Sequence, residues 1–283
     1  MFSNINTKVF KISVPFGRNT LVKAKHNSHH NVFSRQFSVL KEYTSETEGE
    51  GFGRRTYLFK NGEKISPWHD VQLYKSGSKD TFLGCFELSY LNIAKMEVAS
   101  DEAFNPFKQD TNKSRHTGEK QLRYYAKFPL FNYGMLPQTW ENSTVKDKVT
   151  ECLGDNDPLD IWELGADPLP TGSVVELKIL GAIWLIDQDE LDWKILTLNT
   201  TDADRLSIRD HKDYDEVFPN RIQAIMEWFR DIKTHDGKPA NKFGYNDQVL
   251  SQSDSLEIIE ENHQHYQDLK SGKISNEFEF WMP

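Results

Sequence analysis

The longest regular pattern in the chain is residues 173–199, SVVELKILGAIWLIDQDELDWKILTLN. β-Branched and apolar residues dominate it, and it breaks once, at the acidic run 187–192. This predicts two or three antiparallel strands meeting at an acidic turn. Upstream, TYLFKNGEKISPW (56–68) holds an Asn-Gly pair between two arms, the signal of a hairpin. TFLGCFEL (81–88) and AKMEV (94–98) predict two more short strands.

Helical spacing comes late. In NRIQAIMEWFRDIK (220–233), Ile222, Ile225 and Phe229 share a face with Trp228 alongside, and Gly237 and Pro239 follow as a stop. In DSLEIIEENHQHYQDLKSG (254–272), Asp254 followed by Glu257 predicts a capping box. Leu256, Ile259, Tyr266 and Leu269 form the expected buried face, with Gly272 past the end. Strands precede helices and no repeat interrupts them. That order predicts an α+β, mainly β fold: a small antiparallel barrel flanked by helices. Residues 39–55, which include the polar TSETEGEGFGRR, are expected to be a linker, with one folded domain over 56–283.

Composition narrows the class. Hydrophobic residues make up 37% of the 283 and aromatics 12%, enough for a real core. No run approaches the roughly 18 apolar residues that span a bilayer. Two cysteines, Cys85 and Cys152, are too few for a disulfide framework and lack zinc-site spacing. Charge is uneven: residues 1–40 contain no acid and carry +6, while the whole chain is −9, which leaves −15 for the remainder. A body so acidic argues against nucleic-acid binding and suits a protein that concentrates divalent cations. The leader is basic and rich in Ser, Thr and Asn, the composition of a mitochondrial transit peptide. SRQFS (34–38) resembles a matrix-processing site, so residues 1–38 are expected to be that peptide and the body to reside in the matrix. A disordered basic tail is the alternative.

The chemistry concentrates in GDNDPLD (154–160), where Asp155, Asp157 and Asp160 crowd together. Like charges this close repel unless a cation sits among them. Gly154 permits an unusual turn, and Pro158 pushes Asp157 toward extended backbone. On an extended segment Asp155 and Asp157 face one side, and Asp160 joins them only if the turn shifts the alternation. The sixth and twelfth positions of a calcium loop would be Asp160 and Ala166, not the required Gly and Glu. A solvated acidic turn remains open from this stretch alone. The second acidic turn supplies Asp187, Asp192 and Lys194, while Lys95, Arg123 and Lys233 lie beside carboxylates or aromatics. Carboxylates hold metal ions, and ions and basic side chains together hold phosphates. Metals also lower the pKa of bound water.

DNDPLDI (155–161) resembles the signature of soluble family I inorganic pyrophosphatases at every position. WHD (68–70), NPFKQDT (105–111), NYGMLPQTWE (132–141), LGDNDPLDIWELG (153–165), LIDQDELDWKIL (185–196) and EWFRDIKTHDGKPAN (227–241) resemble blocks of the eukaryotic-type members, in order. With its leader, the chain resembles a mitochondrial member. The likeness implies an OB-like five-stranded antiparallel barrel and Mg²⁺-dependent hydrolysis of pyrophosphate to two phosphates. It implies that Asp155, Asp160 and Asp192 hold the tight metal and that Asp157 takes a proton from the attacking water. Asp187 and Glu97 would bind further ions, with Glu87 outside them. Lys95, Arg123, Tyr133, Lys194 and Lys233 would contact phosphate.

The chain departs from the pattern in several places. KFPLFNYG (127–134) is shortened and lacks a second tyrosine of the family. Ile232 stands where a tyrosine donor is usual. Ser89, Tyr90 and Leu91 replace Pro-Arg-Trp near the family's dimer contact, so the usual homodimer surface is altered. NKSRHTGEKQ (112–121) is an insertion. These departures raise a second reading, a pyrophosphatase-fold subunit of a larger mitochondrial assembly with weak or no activity. Hydrolysis of another phosphoanhydride is a third, although no Walker-type loop is present.

Overall fold

In this computed structural model the described residues are 39–147, 151–187 and 190–283. The expected leader, 1–38, lies outside them. The strands are β1 (Tyr43–Glu48), β2 (Arg55–Lys60), β3 (Glu63–Ile65), β4 (Phe82–Leu88), β5 (Met96–Val98), β6 (Phe107–Gln109) and β7 (Thr111–Lys113). Then come β8 (Lys120–Leu122), β9 (Asn132–Met135), β10 (Asp160–Glu163), β11 (Val174–Asp187), β12 (Glu190–Asn199) and β13 (Lys242–Phe243). The helices are α1 (Thr200–Leu206), α2 (His211–Val217), α3 (Arg221–Asp231) and α4 (Gln252–Lys270).

Strands β12, β10, β9, β4 and β11 pair in that order, and β11 pairs back onto β12, which closes a five-stranded barrel. The barrel matches the expectation; its all-antiparallel character does not. An odd number of strands cannot close with every neighbour antiparallel, and the parallel pair falls at β10–β12. β11 and β12 form the long hairpin expected at 173–199, with Asp187 opposite Glu190. Apolar side chains such as Phe82, Phe86, Ile161, Leu177 and Ile195 are buried together.

The stretch read as a linker is partly a strand. β1 pairs antiparallel with β2 from Tyr43↔Lys60 to Glu48↔Arg55. Only Tyr43 of β1 is buried, so no hydrophobic alternation marks it. Backbone pairing and a 2.9 Å Thr47–Thr56 hydroxyl contact hold this edge in place. The Asn-Gly hairpin is as expected: Asn61 and Gly62 both take positive φ between β2 and β3.

α3 buries Ile222, Ile225, Trp228 and Phe229, as the spacing predicts. α4 starts earlier than predicted. Ser251 is its N-cap, and Asp254 is the third helical residue completing the capping box. Leu256 is 39% exposed, whereas Ile259, Tyr266 and Leu269 are buried as expected. α1 and α2 have no sequence counterpart because each is one short, charged turn pair, capped by Asn199 and Asp210. The C-terminal segment returns across the body. Phe280 meets Trp68 edge-on at 5.1 Å, and the Trp281 carbonyl accepts a hydrogen bond from His69 Nε2 at 2.9 Å. No helix among the described residues is long and apolar enough to cross a membrane.

Candidate active site

β10 begins at Asp160, where the strand is paired on both edges: Met135 of β9 on one side and Lys194 of β12 on the other. This register sets Asp160 beside two polar side chains. Lys194 donates to Asp160 and Asp192, and to the Tyr133 hydroxyl at 3.0 Å; that hydroxyl in turn donates to Asp160. Alternation along β12 places Asp192 and Lys194 on one face. Lys194 is 1% exposed. Burial alone would lower its pKa, but Asp160, Asp192 and Asp155 hold it well above the ordinary lysine value.

The aspartate loop is more sharply turned than an extended segment. Asn156 takes a left-handed backbone, φ 77°, which breaks the expected alternation of Asp155 and Asp157. The Asn156 side chain earns that conformation by accepting from Trp140 Nε1 and Ser143 Oγ, each at 3.1 Å. Gly154 is obligatory: a Cβ there would lie 2.5 Å from the Glu141 carbonyl carbon. The Asp157 N–H donates to Asp155 Oδ1 at 3.0 Å, so the loop folds the Asp155 carboxylate back onto the Asp157 backbone.

Among the described residues, Glu141, Asp155 and Asp192 form a group of potential metal donors, with ligand atoms within 4.8 Å of one another. Asp160 lies outside that group, and its Oδ2 is held by Lys194 and Tyr133. Glu141 is the potential donor that the sequence did not single out. It ends the QTWE block as a single acid in a polar loop, and only its spatial neighbours mark it. Its Oε1 accepts from the Trp193 N–H at 3.0 Å; Oε2 is buried with no hydrogen-bond partner among the described residues. A buried, orphaned carboxylate oxygen is costly unless a cation meets it. An all-oxygen donor set of this kind fits Mg²⁺.

A cavity of about 150 Å³ is lined by Glu87, Glu97, Lys108, Asp157 and Asp160. Burial, then Asp160 and Glu97, push the Asp157 carboxyl up to about 7. Burial and then Asp160 push Glu87 well up; its Oε1 accepts from the Val98 N–H at 2.8 Å. Burial, with Asp192 and Asp155 respectively, also raises Asp155 and Glu141 far above the carboxylate range. The carboxylates here outnumber the cations, and the excess is what a divalent ion would neutralise.

On the far wall, Lys95 donates to Glu97 at 2.8 Å and to Asp110 at 2.9 Å, and Arg123 Nη1 donates to the same Asp110 oxygen at 2.8 Å. Asp110, inside the NPFKQDT block, was not foreseen as the link between them. The insertion forms the β7–β8 hairpin immediately before Arg123. Lys233 follows α3, in the turn leading to Asp236, which lies 3.9 Å from Arg123 Nη2. Ile232 is buried in the apolar cluster with Trp228 and Phe229, so it contributes no donor. The Asp187 side chain lies outside the described residues. Of the other expected site residues, Tyr133, Lys194 and Asp192 gather about Asp160, while Lys95 and Arg123 meet at Asp110.

A profile of the inorganic pyrophosphatase family matches residues 85–267. The chain is 42% identical to the chloroplastic soluble inorganic pyrophosphatase 1 of Chlamydomonas reinhardtii, over 84% of this chain and 82% of that one. It is 35% identical to the inorganic pyrophosphatase of Homo sapiens, over 83% and 82%. The crystal structure of the type I inorganic pyrophosphatase from Toxoplasma gondii superposes with a TM-score of 0.74 at 33% identity, covering 80% of this chain and 99% of that one. By profile, identity and fold alike, this chain belongs to the inorganic pyrophosphatase family.

Proposed function

We propose that this protein hydrolyses inorganic pyrophosphate to two orthophosphates in the mitochondrial matrix, with magnesium as its cofactor. The single observation that carries the reading is the position of Asp157. It stands between a cluster of potential metal ligands and a cationic wall, with its pKa raised to about 7. Glu141, Asp155 and Asp192 would hold one ion; Asp160, Glu97 and Glu87 line the space for those that arrive with substrate. Bound magnesium neutralises phosphate charge and acidifies water. Asp157 accepts the proton of the attacking water as the new P–O bond forms and the bridging P–O bond breaks. Lys95, Arg123 and Lys233 neutralise charge on the two phosphates. Lys194 and Tyr133 fix the Asp160 carboxylate against its neighbours. A panel of pyrophosphate, tripolyphosphate and a nucleoside triphosphate tests substrate class. Preference for pyrophosphate is expected; equal cleavage of the nucleotide would overturn the assignment.

The acid-free leader supports mitochondrial import. The Chlamydomonas relative is named chloroplastic, so an organelle address has precedent among relatives. Residues 1–38 fused to a fluorescent protein should co-localise with mitochondria; a plastid or cytosolic signal contradicts the location.

A second reading, a subunit of a larger assembly, is favoured by apolar side chains in open solvent. Leu91, Tyr124, Phe128 and Leu130 are between 40% and 61% exposed, and the Leu91 N–H binds the Pro129 carbonyl. Such a patch marks a contact surface more often than chance exposure. Native-gel migration of the protein from its own extract separates a large complex from a homodimer.

A further inference from the structure

The cationic wall of the site carries one more polar group than the reading above has used. Residues 93–95 and 123–125 run antiparallel, with Ala94 and Tyr124 bridged. The Lys95 N–H donates to the Arg123 carbonyl at 3.2 Å, and the Tyr125 N–H donates to the Ile93 carbonyl at 2.7 Å. On such a pair, side chains alternate. Lys95 and Arg123 therefore share one face, where both meet Asp110. Tyr125, two residues beyond Arg123, belongs to that same face. Tyr124 takes the opposite one and is 56% exposed.

The ring of Tyr125 is firmly placed. It meets Trp228 of α3 edge-on, with centroids 4.9 Å apart, and it packs against the cluster that contains Phe229 and Ile232. Its hydroxyl makes no hydrogen bond among the described residues, and it lies within electrostatic reach of Lys95, Arg123, Lys194 and Asp160. Tyr133 differs in this respect, since its hydroxyl is already engaged by Asp160 and Lys194. Burial pushes the Tyr125 phenol up despite those three cations, so it keeps its proton at neutral pH. Neighbouring ammonium and guanidinium groups have no lone pair to accept that proton. They attract anions, and the phenol O–H requires an acceptor.

We propose that Tyr125 is a substrate-binding residue: its hydroxyl donates to a phosphate oxygen held by Lys95 and Arg123. This rests on the pyrophosphate reading above. Ile232 has no donor to offer, and Tyr125, packed against the same cluster, supplies a phenol.

The test is Tyr125→Phe, which keeps the ring against Trp228 and removes only the hydroxyl, beside Tyr124→Phe on the exposed face. Two quantities are measured on the magnesium-loaded enzyme: kcat/KM for pyrophosphate, and the affinity for methylene diphosphonate by calorimetry. Losing one hydrogen bond to a charged group predicts about a ten- to hundredfold fall in kcat/KM and a parallel loss of analogue affinity. Tyr124→Phe should match the wild type, and both variants should keep the wild-type melting temperature. Unchanged kinetics and unchanged analogue affinity in Tyr125→Phe would overturn the proposal. A fall in both that comes with a lower melting temperature, and is restored when Tyr125→Phe is made in a stabilised background, would reduce Tyr125 to a packing role. Analogue binding is read without turnover. A wild type that grips the analogue through Tyr125 but releases no phosphate would refute hydrolysis while leaving this assignment standing.

Discussion

Lys194 lends its buried ammonium to Asp160, and the two are side by side because β12 and β10 run parallel with these residues in register. The same ammonium reaches Asp192 along its own strand. Removing it leaves two buried carboxylates facing each other. Lys194→Met is expected to destabilise the metal-free protein by about 3–5 kcal/mol. Magnesium should recover part of that loss by supplying the missing charge. Urea unfolding with and without the ion measures both, and an identical loss in the two conditions would contradict a shared electrostatic role.

Glu141 makes a different prediction. Glu141→Gln preserves an oxygen for the Trp193 N–H but removes the charge beside Asp155 and Asp192. Magnesium affinity should fall about 10- to 100-fold, the range seen when groups supporting a metal site are lost. Calorimetric titration of the folded variant reads this directly. Wild-type affinity would remove Glu141 from the ligand set.

The pH dependence of stability has a definite sign. Asp157 has a pKa of about 7 in the folded, metal-free protein, above its ordinary value. The folded state thus holds this proton more tightly than the unfolded chain does. Its contribution is fully present below the ordinary carboxyl range and is lost as pH rises through about 7. Asp155 and Glu141, raised in the same direction, add to the loss. A bound cation favours the ionised forms instead. The gain in melting temperature on adding magnesium should therefore be larger near pH 8 than near pH 5. An equal gain at both would contradict the cluster as the binding site.

The C-terminal return is a structural element with its own test. Phe280 is 7% exposed against Trp68, and Trp281 is tied to His69, whose Nδ1 faces the Tyr266 hydroxyl at 2.9 Å. Nε2 donates to the Trp281 carbonyl, so Nδ1 accepts from Tyr266. Burial draws His69 down to about 4, so it is neutral there. Phe280→Ala should lower stability by about 3–5 kcal/mol while leaving magnesium affinity intact. A variant as stable as the parent would show that the return contributes little.

How far the fold and site could be read in advance depends on what each residue advertises locally. The β11–β12 hairpin is legible because apolar residues run unbroken to its acidic turn, and the Asn-Gly pair announces its hairpin by the φ it needs. β1 was hidden, since an edge strand of Thr, Ser and Glu looks like a linker until β2 pairs with it. The parallel β10–β12 pair follows from closing five strands, which no single segment records. Asp155, Asp157, Asp160 and Asp192 could be named from their crowding. How they group in space could not, because it depends on Lys194 bridging Asp160 and Asp192 and on Glu141 arriving from a distant loop. Tyr125 gave no signal at all; only its pairing with residues 93–95 turns it toward Lys95 and Arg123.

The most direct measurement is phosphate release from pyrophosphate by the chain lacking residues 1–37, with and without magnesium, beside Asp157→Asn. Robust release that needs magnesium and is lost in the variant is the predicted result. A folded, magnesium-binding protein that releases no phosphate, or an Asp157→Asn variant as active as its parent, would contradict the account.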